Sequence, residues 1–336
     1  MRGLRRLSVG LVAGLCAATA AAEEKQPLRL VQTIALPDVK GRIDHLTADV
    51  KGQRLFVAGL ENKTVEVIDV RQGKRLQSLP GFGKPQGVYY VPAVKKLFVA
   101  DGTEGAVKIL DGGTLKPITS IPLSAGADLV DYDAKAKQLY VGHGGKDAGK
   151  DYGELSLIDV AGDKKALDIR TDAHPGAILV DGGRVFVVIP DNSLVVVLDR
   201  KTHRITQKWT VADKARTVSL ALDAPHHRLF VGTRNPAKIV VLDTETGKEV
   251  AGMPTVETLD GIFFDPATRR IYTSGGGGFV DVHRQLDPDH YEALGHVTTG
   301  PVARTSLFVP EWKRLYVAVP RDKDRGAEIR VFQAVP

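Results

Sequence analysis

The sequence predicts an all-β fold: a seven-bladed β-propeller of four-stranded antiparallel blades, closed by the N-terminal strand. A short apolar strand recurs seven times at intervals of 42 to 46 residues, and further strand-like segments accompany each copy. The last copy lacks a fourth segment, and the N-terminus supplies an extra one. Because no segment shows a sustained helical period, repeats of this length indicate a propeller.

The recurring segment is the second strand of each copy. A four-stranded sheet is marginal alone, and packing it between two neighbours buries both of its faces. This strand therefore recurs because we expect both of its faces to be packed. It reads LFVA at Leu55 and Leu97, LYVG at Leu139, VFVV at Val185, LFVG at Leu229, IYTS at Ile271 and LYVA at Leu315.

Three other segments complete each copy. An apolar first strand such as GVYYV leads through a tight turn to the second strand. A third strand such as VEVIDV and a turn such as DTETGKEV precede a fourth strand such as LQSLP. Short β-branched runs bounded by Gly, Pro, Asp and Asn are typical of hairpins. An Asp after strand three suits the start of a turn, because its carboxylate can bond the nearby backbone.

The two ends of the chain are predicted to share the last blade. The final copy stops after its third strand at 329–332, and LRLVQTIALP at 28–37 matches the fourth-strand pieces. A strand from the N-terminus would close the ring without an exposed edge. We expect residues 23–336 to form a single propeller with blades starting near 41, 81, 125, 172, 212, 256 and 300.

Residues 1–22 are predicted to be a secretory signal peptide. Three arginines precede an apolar run too short to span a bilayer, and AATAAA precedes Glu23. A lipoprotein signal at Cys16 is the alternative, although Leu15 is not the small residue that this signal needs. We expect a periplasmic or secreted protein without a membrane span.

Cysteine content and charge disfavour several classes of protein. Cys16 is the only cysteine, so the mature chain is predicted to have no disulfide, thiol nucleophile or cysteine-held metal. The formal net charge of +6 falls when the signal arginines leave, and the remaining charges alternate in sign. A mixed surface with sparse aromatic residues disfavours nucleic-acid binding, and we expect a monomer.

The repeat resembles that of a known family. The LFVA or LYVG strand followed by VIDV or VLDTETGKEV resembles the Tyr-Val-Thr-Asn repeat propellers, in particular the bacterial YncE-like family. The resemblance covers essentially all of residues 23–336. Strand two lacks the Asn of the family pattern, and its nearest match is Ile271-Tyr272-Thr273-Ser274. The resemblance implies a secreted propeller that binds something, and it specifies no chemistry.

Candidate site residues lie at the starts of the first strands, which converge at one mouth of a propeller's channel. These positions vary between copies and are rich in charge. Two interpretations stand: paired charges that line a wet channel, or a ligand site. The convergent positions are Asp44, Gln86, Asp128, Gly176, Val218, Asp260 and Arg304, flanked by Arg42, His45, Lys84, His174, Arg216, Thr258 and Ser219.

The third blade carries a long, glycine-rich loop between its second and third strands, GHGGKDAGKDYGE, with His143 near its start. An insertion in one repeat is a usual way to place function on a binding face, although a plain flexible loop is the alternative.

The residues favour a binding or interaction protein that uses the channel mouth, with a small molecule or a protein as its partner. The predicted binding residues are Arg42, Gln86, Arg216, Asp260 and His143. The alternative is a lactonase-like propeller hydrolase, possible because a His with a carboxylate partner can act as a general base. Its candidate catalytic residues are His45, Asp44, His174, Asp128 and Arg304.

No cofactor is implied by the sequence. There is no CxxCH, no GxSxG and no close-spaced metal-ligand motif such as HExxH, so no metal ligand is assigned. The His and Asp residues at the mouth are nevertheless of the types that bind a divalent metal ion. Whether the protein is an enzyme stays open at this point.

Overall fold

A computed structural model describes residues 26–335. Within them, twenty-eight strands form seven four-stranded antiparallel sheets, which confirms the predicted seven-bladed ring. The first strand of each blade contacts that of the next, and the last blade contacts the first. Over this range no helix has the length and apolarity needed to cross a bilayer. The predicted signal peptide, residues 1–22, lies outside the described residues.

The strands are numbered in chain order, and each blade runs from the channel outwards. The chain enters through β1 (Leu28–Leu36), which belongs to the last blade. Blades one and two comprise β2 (Leu46–Asp49), β3 (Arg54–Gly59), β4 (Thr64–Asp69), β5 (Lys74–Leu79), β6 (Pro85–Val91), β7 (Lys96–Asp101), β8 (Ala106–Asp111) and β9 (Pro117–Pro122). Blades three and four comprise β10 (Val130–Asp133), β11 (Gln138–Gly144), β12 (Gly153–Asp159), β13 (Lys164–Thr171), β14 (Ile178–Asp181), β15 (Arg184–Ile189), β16 (Leu194–Asp199) and β17 (Ile205–Thr210).

The remaining three blades follow the same order. Blades five to seven comprise β18 (Arg216–Asp223), β19 (Arg228–Arg234), β20 (Lys238–Asp243), β21 (Glu249–Pro254), β22 (Leu259–Asp265), β23 (Arg270–Gly275), β24 (Phe279–Asp287), β25 (His290–Thr298), β26 (Ser306–Val309), β27 (Arg314–Val319) and β28 (Ala327–Ala334). Short 3-10 turns in the described chain lie at Gly145–Ala148, Pro190–Asn192, Ala212–Lys214, Ala224–His226 and Pro310–Trp312.

The second strands pack on both faces, as predicted. Each has an aromatic residue at its centre, and this ring is buried in all seven blades. In three blades it meets an aromatic ring on the first strand of the following blade. The centroids of Phe56 and Tyr90 are 5.7 Å apart, and those of Phe230 and Phe264 are 5.3 Å apart. Contacts of this kind join neighbouring blades by apolar burial. The seven residues are Phe56, Phe98, Tyr140, Phe186, Phe230, Tyr272 and Tyr316.

The N-terminal strand closes the ring. β1 pairs antiparallel with β28, from Leu28 opposite Ala334 to Leu36 opposite Ala327. Leu28, Ile34 and Leu36 are fully buried, so this strand supplies core as well as hydrogen bonds. The pairing confirms the predicted closure and leaves the third strand of the last blade without an exposed edge.

Turns after the third strands are built on Asp, as predicted. The Oδ1 of Asp111 accepts the backbone N–H of Thr114 (2.6 Å), and Asp199 does the same for Thr202 (2.7 Å). These carboxylates bond their own turns at the outer side of the blades. The charges at the channel mouth are not part of such turns and need a different explanation.

Candidate functional site

The starts of the first strands share one register at the channel mouth. The backbone N–H of Asp44 donates to the carbonyl of Ala58 (2.7 Å), and that of Asp128 donates to Gly142 (2.9 Å). Gly176 makes the same bond in blade four. The chain therefore places equivalent residues of successive blades around one opening.

Asp44 is the most deeply buried charge at this opening, with 1% of its side chain exposed. Its Oδ1 accepts a hydrogen bond from Arg42 (3.1 Å) and lies 3.6 Å from Nε2 of His45. Its Oδ2 is buried and has no hydrogen-bond partner. Burial raises the pKa of Asp44 above its ordinary value, against the attraction of His45 and Arg42.

Asp128 lies close to Asp44 at the same opening, although it belongs to blade three. Its Oδ2 is 3.9 Å from Nε2 of His174, and its Oδ1 is buried without a hydrogen-bond partner. Burial alone would raise the pKa of Asp128, but the side chain of His174 and the charge of His45 outweigh it and lower that pKa. The ligand atoms of Asp44, His45 and Asp128 all lie within 4.8 Å of one another. We call these three residues the hub triad.

His174 is oriented by its backbone contact as well as by Asp128. Its Nδ1 lies 3.2 Å from the carbonyl oxygen of Gly144, which can only accept, so Nδ1 carries a proton. Burial alone would lower the pKa of His174, but the Asp128 carboxylate outweighs burial and raises it. Nε2 faces Asp128 at 3.9 Å, within the range of an ion pair and beyond that of a hydrogen bond.

Several arginines also gather at this opening. Asp260 lies 2.8 Å from Arg234 and 3.2 Å from Arg304, so two guanidinium groups share one carboxylate. Burial and the like charges of Arg304, Arg216 and Arg42 lower the pKa of Arg234, against the attraction of Asp260. These four guanidinium groups therefore act on one another across the mouth.

Asp191 is shared in the same way. It lies 2.9 Å from Lys146 and 2.8 Å from Arg216, and these two charges lower its pKa together with the hydrogen bond from Lys146. Lys146 belongs to the long loop of blade three, Asp191 to blade four and Arg216 to blade five. The ion pairs thus link three successive blades around the mouth.

A pocket of about 410 Å³ occupies the mouth, and we call it the mouth pocket. Its walls combine first-strand starts with the long loop of blade three, the loop that the sequence analysis singled out. The lining residues are Arg42, Lys84, Gln86, Asp128, Gly144, Gly145, Lys146, Asp147, Lys150, Asp151, Ala173, His174, Pro190, Asp191 and Arg216.

The channel continues past the hub triad with a more apolar lining. A cavity of about 310 Å³ is lined by residues further along the same first strands, including Leu129, Phe263 and Leu307. His45 lines this cavity, whereas Asp128 lines the mouth pocket. The hub triad therefore stands between the mouth pocket and the channel.

Asp131 introduces one carboxylate into that channel. Its oxygens accept the backbone N–H groups of Tyr132 (2.8 Å) and Val180 (3.0 Å). Burial raises the pKa of Asp131 to about 6 because those two bonds do not fully offset desolvation, and the charge of Asp133 adds to the rise.

The structure brings most of the sequence-predicted residues together. Asp44, His45 and Asp128 form the hub triad, and His174 contacts Asp128. Arg304 and Asp260 pair with each other beside the mouth pocket. Three predicted binding residues, Arg42, Gln86 and Arg216, line the pocket itself.

His143 does not join them. It lies on β11, is buried inside blade three, and its Nε2 is 2.7 Å from the hydroxyl of Ser156. Burial lowers the pKa of His143 to about 4, which keeps the ring neutral in the blade. His143 lies on β11 immediately before the long loop, and the strand directs its side chain into the blade. The structure thus places His143 away from the mouth pocket.

Two contributors to the mouth were not selected from sequence. Arg234 and Asp191 lie at the connections between second and third strands, where polar residues are typical of turns. Arg234 instead reaches the next blade, with its Nε donating to the Leu259 carbonyl (2.6 Å) and its terminal nitrogen beside Asp260. The sequence offered one signal for such a cation, the acidic Asp260 at the equivalent first-strand position of the next blade.

Together, the fold and this mouth define a class: a seven-bladed β-propeller with a charged hub. The uncharacterized protein YncE of Salmonella typhimurium is 24% identical over 292 residues, and YncE of Salmonella typhi matches equally. These residues are 85% of this chain and 64% of the relative, so the chain spans less than two thirds of the length of the curated relatives it matches. The chain is thus similar in sequence to proteins named YncE, and its own fold is a seven-bladed β-propeller.

Solved structures show the same fold at lower identity. A chain of Kuenenia stuttgartiensis hydrazine synthase is 17% identical with a TM-score of 0.73, and 89% of this chain covers 98% of it. A chain of a mitotic checkpoint complex is 14% identical with a TM-score of 0.77 and 99% coverage of both chains. No family model matches the sequence. At these identities the likeness shows the propeller architecture alone.

Proposed function

We propose that this protein is an exported binding protein that captures a small organic anion in the mouth pocket. One observation carries the proposal: two carboxylates at the mouth, Asp191 and Asp260, are each shared between two cationic side chains. Two positive charges are therefore left in excess among these six groups, and an anionic ligand would balance them.

The chemistry of the cations supports the same class of ligand. Three of the four shared cations are arginines, and the planar guanidinium group binds carboxylate or phosphate with two parallel hydrogen bonds. Arg42 adds a buried Nε that has no hydrogen-bond partner. A volume of about 410 Å³ falls within the range of small-molecule sites.

Binding is tested on protein treated with a chelator, so that metal ions play no part. Calorimetric titration with mono-, di- and tricarboxylic acids, a phosphate ester and neutral sugars should show binding of at least one acid and none of the sugars. Arg216→Ala should weaken that binding about tenfold or more, since a charge-assisted pair is lost.

Arg284→Ala is the matched control. Arg284 pairs with Glu292 on the outer strands of blade six and is 46% exposed, compared with 52% for Arg216. This control should bind the acid as the unmodified protein does, and both variants should keep the same melting temperature, because exposed ion pairs contribute little. Equal binding of sugars and acids, or equal losses in both variants, would contradict the proposal.

A hydrolase is the second candidate, and the geometry of His174 favours it. Its Nδ1 donates to a carbonyl, so Nε2 is the nitrogen that would accept a proton, and the Asp128 carboxylate 3.9 Å away would stabilise the imidazolium that results. A panel of lactones tests this function. Turnover that is lost in His174→Gln would support it, and the absence of turnover would leave the binding protein as the function.

A further inference from the structure

Two carboxylate oxygens at the centre of the channel lack the partners that buried charges need. Oδ2 of Asp44 is buried without a hydrogen bond in a side chain that is almost completely enclosed. Oδ1 of Asp128 is also buried without one, although the Gln86 side chain lies near enough to this carboxylate to lower its pKa. Leaving such an acceptor unsatisfied is destabilising, most of all for a charged group. The cost calls for a cationic partner at this point.

The imidazole of His45 completes a set of three ligands around the same point. One ligand atom from each of Asp44, His45 and Asp128 lies within 4.8 Å of the other two. Two ligands about 2.1 Å from one ion are at most about 4.2 Å apart. Closure on an ion therefore needs shifts of about half an ångström, which rotations of the side chains supply.

We infer that the hub triad binds one first-row divalent transition-metal ion, of the zinc class. Oδ2 of Asp44 is the oxygen left free to bind an ion, because Oδ1 already accepts a hydrogen bond from Arg42. Within residues 26–335 this is the one place where three or more His, Cys, Asp or Glu side chains offer ligand atoms this close together.

The donor set selects the class of ion. One imidazole nitrogen with two carboxylate oxygens suits zinc, manganese or iron, whereas calcium and magnesium prefer oxygen ligands alone. Arg42 on Asp44 and His174 beside Asp128 would orient the two carboxylates from outside the ligand shell. His45 is 25% exposed, so an ion can reach the triad from the channel.

This inference does not depend on the proposed organic anion. Zinc binding is measured without any organic acid, and the acid titrations use chelated protein, so that either result can fail alone. An ion at the triad would nevertheless lie beside the mouth pocket, because Asp128 lines that pocket.

The experiment uses chelator-stripped protein and competition with a chromophoric chelator. Zinc should bind at one ion per chain, and magnesium and calcium should not compete. Asp44→Asn should weaken zinc binding by more than about 100-fold, because even outer-shell partners of a metal are worth 10- to 100-fold. Cobalt should give a visible absorption band in the unmodified protein that is lost in the variant.

His290→Ala is the matched control, because His290 and Asp287 form an exposed pair 2.9 Å apart on blade six. It should bind zinc as the unmodified protein does. If Asp44→Asn does not fold, His45→Gln replaces a more exposed ligand and carries the same expectation. Absence of zinc binding, equal zinc affinity in the triad variant, or preference for calcium would overturn the inference.

Discussion

The second strands and the starts of the first strands differ in how much the fold constrains them. The central aromatic residues of the seven second strands are between 0 and 3% exposed, and all are Phe or Tyr. The equivalent first-strand positions hold four residue classes, acid, base, amide and apolar, from Asp44 to Arg304. A second strand packs against blades on both faces, whereas a first-strand start has the channel on one side. Packing between neighbouring blades therefore constrains the residues of the second strands, whereas the starts of the first strands are free to vary.

The largest expected effect comes from removing the strand that makes the ring continuous. Deletion of Leu28–Leu36 should abolish soluble folded protein, because blade seven would lose a fully paired strand and three buried apolar residues. Soluble yield and thermal melting measure this effect.

Leu30→Ala controls for simple damage to β1, because Leu30 is 47% exposed on that strand. This variant should melt close to the unmodified protein. A deletion variant that melts at the original temperature would show that the ring does not need its closing strand.

The next effect tests the second strands directly. Phe98→Ala should lower the free energy of unfolding by about 3–5 kcal/mol, because the ring is completely buried between blades two and three. Phe279, which is 37% exposed, provides the control, and Phe279→Ala should cost less than about 1 kcal/mol. Urea unfolding of both variants gives the comparison. Similar costs for the two would mean that blade packing does not set the constraint.

The smallest effect concerns Asp131, a first-strand residue whose ionised carboxylate is destabilised by burial. The pKa of Asp131 is raised to about 6 by burial, so its protonated form stabilises the fold fully below about pH 4, and this contribution is lost as pH rises through about 6. Tyr89 and Asp133 are the titratable side chains that interact with its charge, whereas Tyr132 contributes a backbone N–H. Asp131→Asn stays neutral and should gain up to about 3 kcal/mol relative to the unmodified protein between about pH 4 and pH 8.

The measurement is the difference in unfolding free energy between variant and unmodified protein as a function of pH. Taking the difference cancels the contributions of all groups that titrate equally in both proteins. Asp151→Asn, at a side chain that is 93% exposed, should give a flat difference. A flat difference for Asp131→Asn as well would show that the channel around it is solvated.

The fold could be predicted from sequence because its signals are local and repeated. Seven copies of one strand specify the number of blades, and the unmatched segment at 28–37 specifies how the ring closes. The site was predicted in part. The repeat alignment selected Asp44, His45 and Asp128 as neighbours of the mouth, but it could not separate them from His143, whose direction depends on the pleat of β11.

By itself the sequence determined the architecture, because each blade repeats the same alternation of buried strands and turns. Only the tertiary structure decided which charges meet. Asp44 and Asp128 come from different blades, and their approach depends on ring closure, strand register and the side-chain conformations that neighbours allow. No local sequence pattern specifies a distance across the ring, because that distance depends on how every blade packs against the next.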